Sequence, residues 1–429
     1  MKSVFKPLIV GILTWQAKQL LRRKQPKIIA LTGSVGKTST KDAVYSVLKR
    51  HTHARKSEKS FNSELGVPLT VLGLPNAWSN PLGWLKNVID GFFILLHPGD
   101  YPDVLVLEMG VDRPGDMARL CEWITPDIVV LTRLPDVPVH VEYFDSPEAV
   151  VVEKMQLVKA LPHDGTLVYN HDDEIIRREI ESLPQTTIGF SRYSLSQYTA
   201  SADQVVYDNG VATGLEFKLT HLDTTMALHV NGSLGVQHAY NYAAAVAVSS
   251  LFDISTKDAV TALAKHHPPA GRMRLVRGIK HTLIVDDTYN SSPTAAERAL
   301  LSLKELKGGN RKIAVLGDML ELGQFSTSEH EKVGALAAEC CDLLVTVGVR
   351  ARKIAAGALA HGLSEKYILQ YDAIERAAAE VQNLLKRNDI VLVKASQGIR
   401  GEKFVHEIMA EPDRAAELLV RQDPEWQKR

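Results

Sequence analysis

Residues 28–43 read IIALTGSVGKTSTKDA, and the rest of the chain is organised around them. Residues 28–31 form a short apolar run suited to a buried parallel strand. Thr32-Gly33-Ser34-Val35-Gly36-Lys37-Thr38-Ser39 follows, and residues 41–49 continue as a helix. A strand, a glycine turn, a lysine, a hydroxyl and a helix together make a phosphate cradle. The glycines let backbone N–H groups turn toward a triphosphate with no Cβ in the way. The helix N-terminus adds partial positive charge at the same place. Gly33, Ser34, Gly36, Lys37, Thr38 and Ser39 are therefore candidate ATP-binding residues. Lys37 would reach the β- and γ-phosphates, and the Thr38 hydroxyl would ligate Mg²⁺. Leu31 stands where the usual pattern has a third glycine, so the motif is a shortened TGSxGKT[ST].

Working outward, residues 103–108 (DVLVLE) are a second buried-strand candidate that ends in a carboxylate. Open α/β sheets place ligand groups at the carboxyl ends of their strands, which makes Glu108 a candidate metal ligand. Residues 127–132 (DIVVLT) read as a third strand, with His140 shortly after it. Residues 146–161 read as a helix, with Ser146 as N-cap and Pro147 in the first turn. Lys154 lies in this helix among apolar neighbours. A lone lysine there snorkels to water unless His140 and Glu108 converge on it. Asn62 and Glu64 precede a Pro-started helix in NSELGVPLT, residues 62–70.

Residues 186–231 alternate in short segments separated by Asp-Asn-Gly and Thr-Gly turns, which predicts antiparallel sheet appended to the same domain. His238 and Asn241 open an Ala-rich helix (242–251), where either touches a purine or simply caps the helix. Residues 266–272 (HHPPAGR) read as a linker, and adjacent histidines are poor metal-ligand spacing, so no zinc is expected. Beyond it, residues 283–287 end a strand in Asp286 and Asp287. Strands at 312–317, 343–348 and 389–394 then alternate with helices, which predicts a second parallel α/β domain.

Three segments result: an amphipathic helix (1–26), a central ATP-binding domain (27–269) and a C-terminal domain (270–429). The fold class is α/β. A P-loop domain with a parallel sheet plus a small antiparallel sheet is followed by a Rossmann-like domain. A length of 429 residues accommodates this, and an apolar fraction of 45% is ordinary for globular protein. Lys+Arg and Asp+Glu balance at 50 each, so no global charge draws the chain to nucleic acid. Three cysteines make no disulfide framework, and a reducing cytoplasm is the expected compartment.

The longest apolar run in residues 1–26 is too short to span a bilayer, and no signal-peptide cleavage site follows it. The helix should turn Leu20 and Leu21 inward and Arg22, Arg23 and Lys24 outward, docked on the next domain. Trp78, Trp84, Phe92 and Phe93 in residues 75–98 are expected in the core, the default for aromatics at helical spacing. The alternatives are a substrate wall formed by the aromatic segment, or peripheral membrane contact through 1–26 or 75–100. The polar end, 421–429, is expected to fray.

Taken together these pieces resemble the Mur ligase family. The resemblance is carried by the loop at 32–39, NSELGVPLT (62–70), LEMG (107–110), HVEYF (140–144), Lys154, Gly271-Arg272, DDTYNSSP (286–293), GDMLELG (317–323) and KASQ (394–397), all in the family's order. It is greatest to those members that add D-alanyl-D-alanine to a UDP-muramoyl-tripeptide. It implies an ATP-driven amide ligation in peptidoglycan precursor synthesis. A substrate carboxylate takes the γ-phosphate, and an amine then displaces phosphate. It further implies that Glu108 and His140 hold a second Mg²⁺, with Lys154 carbamylated as a further ligand. Asn241 would contact adenine, Arg272 the γ-phosphate and Asp287 the ribose side. Asn62, Asn290, Lys394 and Ser396 would serve the substrates or domain closure. The enzyme would act on small molecules as a monomer.

Some features depart from the family pattern. Only 26 residues precede the first strand, where the family has a domain that grips the UDP-sugar. The expectation is that the uridine end is held differently, or that the carboxylate donor differs. Gln237 stands where a histidine is usual, and KASQ replaces a KGSR-like segment, with Arg400 as a substitute cation. Two alternatives remain. One is a Mur-type ligase acting on a lipid-linked muropeptide or a polyglutamate-type acceptor. The other is a non-catalytic ATP-binding scaffold.

Overall fold

The protein is described by a computed structural model covering residues 5–58 and 61–427. Apolar runs of four to six residues become the inner strands of two sheets, because a strand covered by helices on both faces can be apolar throughout. The first sheet comprises β1 (Lys27–Thr32), β2 (Ala54–Lys56), β3 (Val104–Glu108), β4 (Ile128–Leu131), β5 (Thr166–Asn170), β6 (Thr186–Ser191), β7 (Tyr198–Asp208), β8 (Val211–His221) and β9 (Thr224–Asn231). Their spatial order is β2-β3-β1-β4-β5-β6-β7-β8-β9. Pairing is parallel from β2 through β7 and antiparallel only for β7–β8 and β8–β9. The antiparallel strands therefore continue the one sheet. They begin at Tyr198, not at residue 186 as the alternation suggested. β6 pairs parallel with β5 because the short helix Glu174–Glu179 provides a crossover between them.

The second sheet comprises β10 (Arg274–Arg277), β11 (Leu283–Asp287), β12 (Lys312–Gly317), β13 (Leu343–Val347), β14 (Ile368–Tyr371) and β15 (Ile390–Lys394), in the order β10-β11-β15-β12-β13-β14. All its pairs are parallel except β10–β11. Each sheet is packed on both faces into a pair of apolar clusters, and one cluster of the second sheet also takes in Ala212 and Leu234 of the first lobe. The lobes meet where Ser233 bridges Arg274 and Leu234 N–H donates to Met273 O.

The first four helices lie at the site or beside it. They are α1 (Phe5–Lys24), α2 (Lys37–Leu48), α3 (Gly66–Leu72) and α4 (Pro81–Leu96). α1 lies on α3 and α4, burying Leu13, Ala17, Leu20 and Leu21. Residues 1–4 of the expected N-terminal helix lie outside the described residues. α4 overturns the expectation that its aromatics are core. Trp84 is buried, but Phe92 and Phe93 are 46% and 62% exposed. Helical spacing gathers residues on faces without saying which face a second layer covers. The chain end also departs from expectation. Pro424–Gln427 is a helical turn, and Trp426 packs edge-on against Trp78 of the first lobe, with ring centroids 5.9 Å apart. Arg421 anchors this turn through Glu402 Oε2 at 3.0 Å and Thr288 O at 3.1 Å. Residues 428–429 lie outside the described residues.

Candidate active site

The glycine turn sits between β1 and α2, and both its glycines are required by geometry. Gly33 has φ 138°, and a Cβ there would lie 2.2 Å from Thr132 Oγ1. Gly36, the residue before α2, has φ 91°; both values are in the region that favours glycine. Lys37 folds back on the turn, donating to Gly33 O at 2.9 Å.

Glu108 is buried at the end of β3, adjacent to β1. It accepts from Thr38 Oγ1 at 3.1 Å and lies 3.4 Å from Lys41 Nζ, itself buried in α2. Asn62 Nδ2 is 3.5 Å from the same carboxylate. The loop before α3 is drawn in further by Gly110 N–H, which donates to Asn62 O.

Lys154 comes from the helix Pro147–Lys159, started by Ser146 accepting from Ala149 N–H. Its side chain is buried and, among the described residues, makes no hydrogen bond or salt bridge. Burial pushes it well below the ordinary lysine range, and the positive charge of Lys37 pushes it the same way, against Asp112 and Glu153. Lys37 is lowered too, first by burial and then by Arg272, with Glu108 and Asp112 opposing. Asp112 thus sits within the field of both lysines.

His140 adopts a left-handed backbone (φ 70°) just before the one-turn helix Val141–Tyr143. Its Nδ1 lies 2.7 Å from Glu321 of the second lobe, and its Nε2 lies 3.7 Å from Asp112. The imidazole contact in turn holds the Glu321 carboxyl below the usual range. Among the described residues, no three His, Cys, Asp or Glu side chains form a metal cage. Magnesium is commonly held by one or two carboxylates plus substrate phosphates, so a hydroxyl beside a single carboxylate suits it.

The second lobe contributes Arg272, whose guanidinium stacks 4.0 Å from the Tyr289 ring. Arg298 reaches over the ring of Tyr240, with 5.8 Å to its centroid. With Gly36, Asn170, Tyr240 and Asn241 it lines a small cleft beside the turn. Thr40 Oγ1 donates to Asn241 Oδ1 at 3.0 Å. Ser34 Oγ, Asn241 Nδ2, Arg272 Nε and Glu108 Oε2 are buried without a hydrogen-bond partner among the described residues. Buried polar atoms are normally satisfied. Four such atoms from both lobes, gathered around one phosphate-type turn, fit a nucleotide.

Residues 31–249 match the Mur ligase middle domain, and residues 271–397 match the Mur ligase glutamate ligase domain. The chain belongs to the Mur ligase family. Homologues in the family are ATP-dependent ligases that form amide bonds in peptidoglycan precursor synthesis. The UDP-N-acetylmuramoyl-tripeptide–D-alanyl-D-alanine ligase of Bacillus subtilis is 28% identical, over 92% of this chain and 79% of its own. The enzyme of the same name from Mycobacterium leprae is 30% identical, over 93% and 74%. Among solved structures, the MurF ligase of Thermotoga maritima in complex with ADP superposes with a TM-score of 0.75. It is 25% identical and covers 94% of this chain and 84% of its own.

Within this Mur ligase, the residues singled out from sequence fall into two groups, apart from His140, which sits between Glu321 and Asp112. Gly33, Ser34, Gly36, Lys37, Thr38, Glu108, Asn62 and Asn241 lie at or against the turn, and Lys154 and Arg272 reach it through charge. Ser39 is buried in the first turn of α2. The second group is engaged within the protein. Lys394 Nζ bonds Asp287 Oδ2 at 2.6 Å and Asn290 O at 3.0 Å, Asp287 Oδ1 accepts from Met273 N–H, and Ser396 Oγ accepts from Leu320 N–H. Arg400 bonds Glu402 at 2.6 Å. His238 is bound to Ser233 Oγ at 2.9 Å inside the fold. Lys41, Asp112, Glu321 and Arg298 were not singled out from sequence. Lys41 carried a signal: it lies one helical turn after Lys37, on a helix that must bury one face against the sheet.

Proposed function

We propose that this chain is an ATP-dependent amide ligase that adds D-alanyl-D-alanine to a UDP-N-acetylmuramoyl-tripeptide through an acyl phosphate. The observation that carries the reading is the set of buried polar atoms from both lobes around the Gly33–Thr38 turn. The names of the relatives supply the substrates.

The chemistry brings a carboxylate against a triphosphate, so two anions must be made compatible. Lys37 leaves Gly33 O for the β- and γ-phosphates, while the turn's N–H groups hold the phosphate chain in line. Arg272, braced on Tyr289, brings a second cation from the other lobe. The donor carboxylate oxygen bonds the γ-phosphorus, and the bond to the β-bridging oxygen breaks, leaving ADP. The dipeptide amine then attacks the acyl carbon, loses a proton and expels phosphate. The lobes close to exclude the water that would hydrolyse this intermediate.

Thr38, Glu108 and His140 are the residues to hold magnesium, which when bound neutralises phosphate charge. Lys154 suits carbamylation. Its neutral amine bonds carbon dioxide and a proton leaves, turning a buried cation into a carboxylate-like ligand. Asn241 and the Tyr240–Arg298 cleft take the adenine side. Asp287, Lys394, Asn290 and Ser396 act as a framework that fixes the second lobe's loops beside the substrates.

The test is phosphate release by purified enzyme with ATP, Mg²⁺ and bicarbonate. Release should require UDP-muramoyl-tripeptide and D-alanyl-D-alanine together. No release with that pair overturns the substrate assignment. A second reading, in which the donor is lipid-linked, is favoured by one observation, the exposed apolar face of α1 and α4.

A further inference from the structure

The apolar residues that α4 leaves exposed are Leu82, Leu85, Ile89, Phe92, Phe93 and Leu96. At 100° per residue they fall in one stripe about 100° wide along the whole helix. The opposite side buries Trp84, Asn87 and Gly91. α1 runs alongside in the same direction. Gln16 Nε2 donates to Val88 O at 2.9 Å and Arg23 to Leu95 O at 2.7 Å. Leu8 and Trp15 of α1, 61% and 49% exposed, extend the stripe, and Trp15 meets Phe92 with centroids 6.1 Å apart.

The charge around this face is one-sided. α1 carries Lys6, Lys18, Arg22, Arg23 and Lys24 and no acid. Among the described residues Lys18, Arg22, Arg23 and Lys24 make no salt bridge. The α4 acid, Asp90, is paired with Lys86 at 2.5 Å. No helix among the described residues is long and apolar enough to cross a membrane.

We propose that the joint α1–α4 face docks on the surface of an anionic lipid bilayer. The apolar stripe would enter the headgroup boundary, and the α1 cations would meet lipid phosphates. Parallel helices with an apolar stripe beside uncompensated cations have the composition of an interfacial anchor. A second copy of the chain would bring the same positive charge and no complement to it. The docking connects to the site at the loop before α3. Lys6 at the start of α1 pairs with Glu64 at 2.9 Å, two residues beyond Asn62, whose amide faces Glu108. Docking would therefore set the loop before α3 near the bilayer, where a lipid-linked carboxylate donor arrives. This last step rests on the ligase reading above, whereas the docking does not.

The test is flotation of the full chain with phosphatidylglycerol–phosphatidylcholine vesicles and with phosphatidylcholine alone. The chain should float with the anionic vesicles and release from them at high salt. Phe92→Ser with Phe93→Ser, and separately Lys18→Gln with Arg22→Gln, should each lower the bound fraction about tenfold. Both variants should keep phosphate release from a water-soluble donor. Absence of flotation, or flotation unchanged in both variants, overturns the proposal. So does a concentration-dependent dimer in sedimentation, without flotation, that Phe93→Ser dissolves. Loss of phosphate release in the unmodified chain would sink the ligase reading while leaving the flotation result standing.

Discussion

Both lobes end a parallel strand in a buried carboxylate with a lysine beside it, and the two pairs are built differently. In the second lobe, Asp287 and Lys394 are direct register partners on β11 and β15. They close to 2.6 Å, and both carboxylate oxygens and the ammonium find partners within the lobe. In the first lobe, Glu108 Oε2 stands 3.4 Å from Lys41 Nζ, a looser ion pair, and among the described residues it accepts no hydrogen bond. Lys154, within the field of Lys37, is buried with no hydrogen bond or salt bridge among the described residues. A satisfied pair is a clamp. An unsatisfied set is costly unless something else completes it. On the proposed reading, the first lobe is the one left to be completed by a charged ligand, and the second holds the loops that carry Arg272.

Substitutions on the two sides should therefore fail in different ways. Lys37→Ala should reduce phosphate release by about 10²–10³-fold or more. Its urea midpoint should stay the same or rise, since a desolvated cation with a single carbonyl acceptor is removed. A drop in midpoint with activity retained would reverse the roles of the lobes. Lys394→Met should do the opposite first. It leaves Asp287 as an unpaired buried charge and should lower unfolding free energy by about 3–5 kcal/mol. Urea titration measures this, and an unchanged midpoint would show that the pair is no clamp.

The same contrast explains how far the sequence could be read. The glycine turn, the DVLVLE strand and the Ser146-Pro147 helix start are local patterns, and the structure reproduces each within a residue or two. Side chains at strand ends declare their chemistry but not their partners. Lys394 and Asp287 each look like ligand groups, and only the β11–β15 register shows that they bond each other. Asp112 and Glu321 matter through loops that meet across the lobes, a convergence no spacing encodes. β2 is short, polar and at the sheet edge, so it carries no apolar signal. On α4 the period was legible, but the missing second layer was not.

Two smaller effects sharpen the picture at the junction of the lobes. Burial, then the neighbouring His266, pushes His238 down to about 4 from 6.5. The unfolded chain thus binds a proton between those values that the folded chain refuses. Stability should be fully present above pH 6.5 and fall as pH drops toward 4, by as much as about 3 kcal/mol for this one group. His238→Gln should flatten that part of the profile, which urea midpoints at pH 4.5 and 7 would show. Trp426→Ala removes the ring contact between the chain end and Trp78 and should cost about 1 kcal/mol. Differential scanning calorimetry would detect a lowered transition, and no shift would mean that the chain end does not tie the lobes.

The proposed ligation requires a carboxylate to be phosphorylated at the Gly33–Thr38 turn and then captured by an amine. Enzyme supplied with ATP, D-alanyl-D-alanine and a UDP-muramoyl-tripeptide carrying ¹⁸O in its reacting carboxylate tests this at the atom that moves. The released inorganic phosphate should carry one ¹⁸O from that carboxylate, with ADP as the other product. Label appearing in AMP, or phosphate released without label while the amide forms, would contradict it.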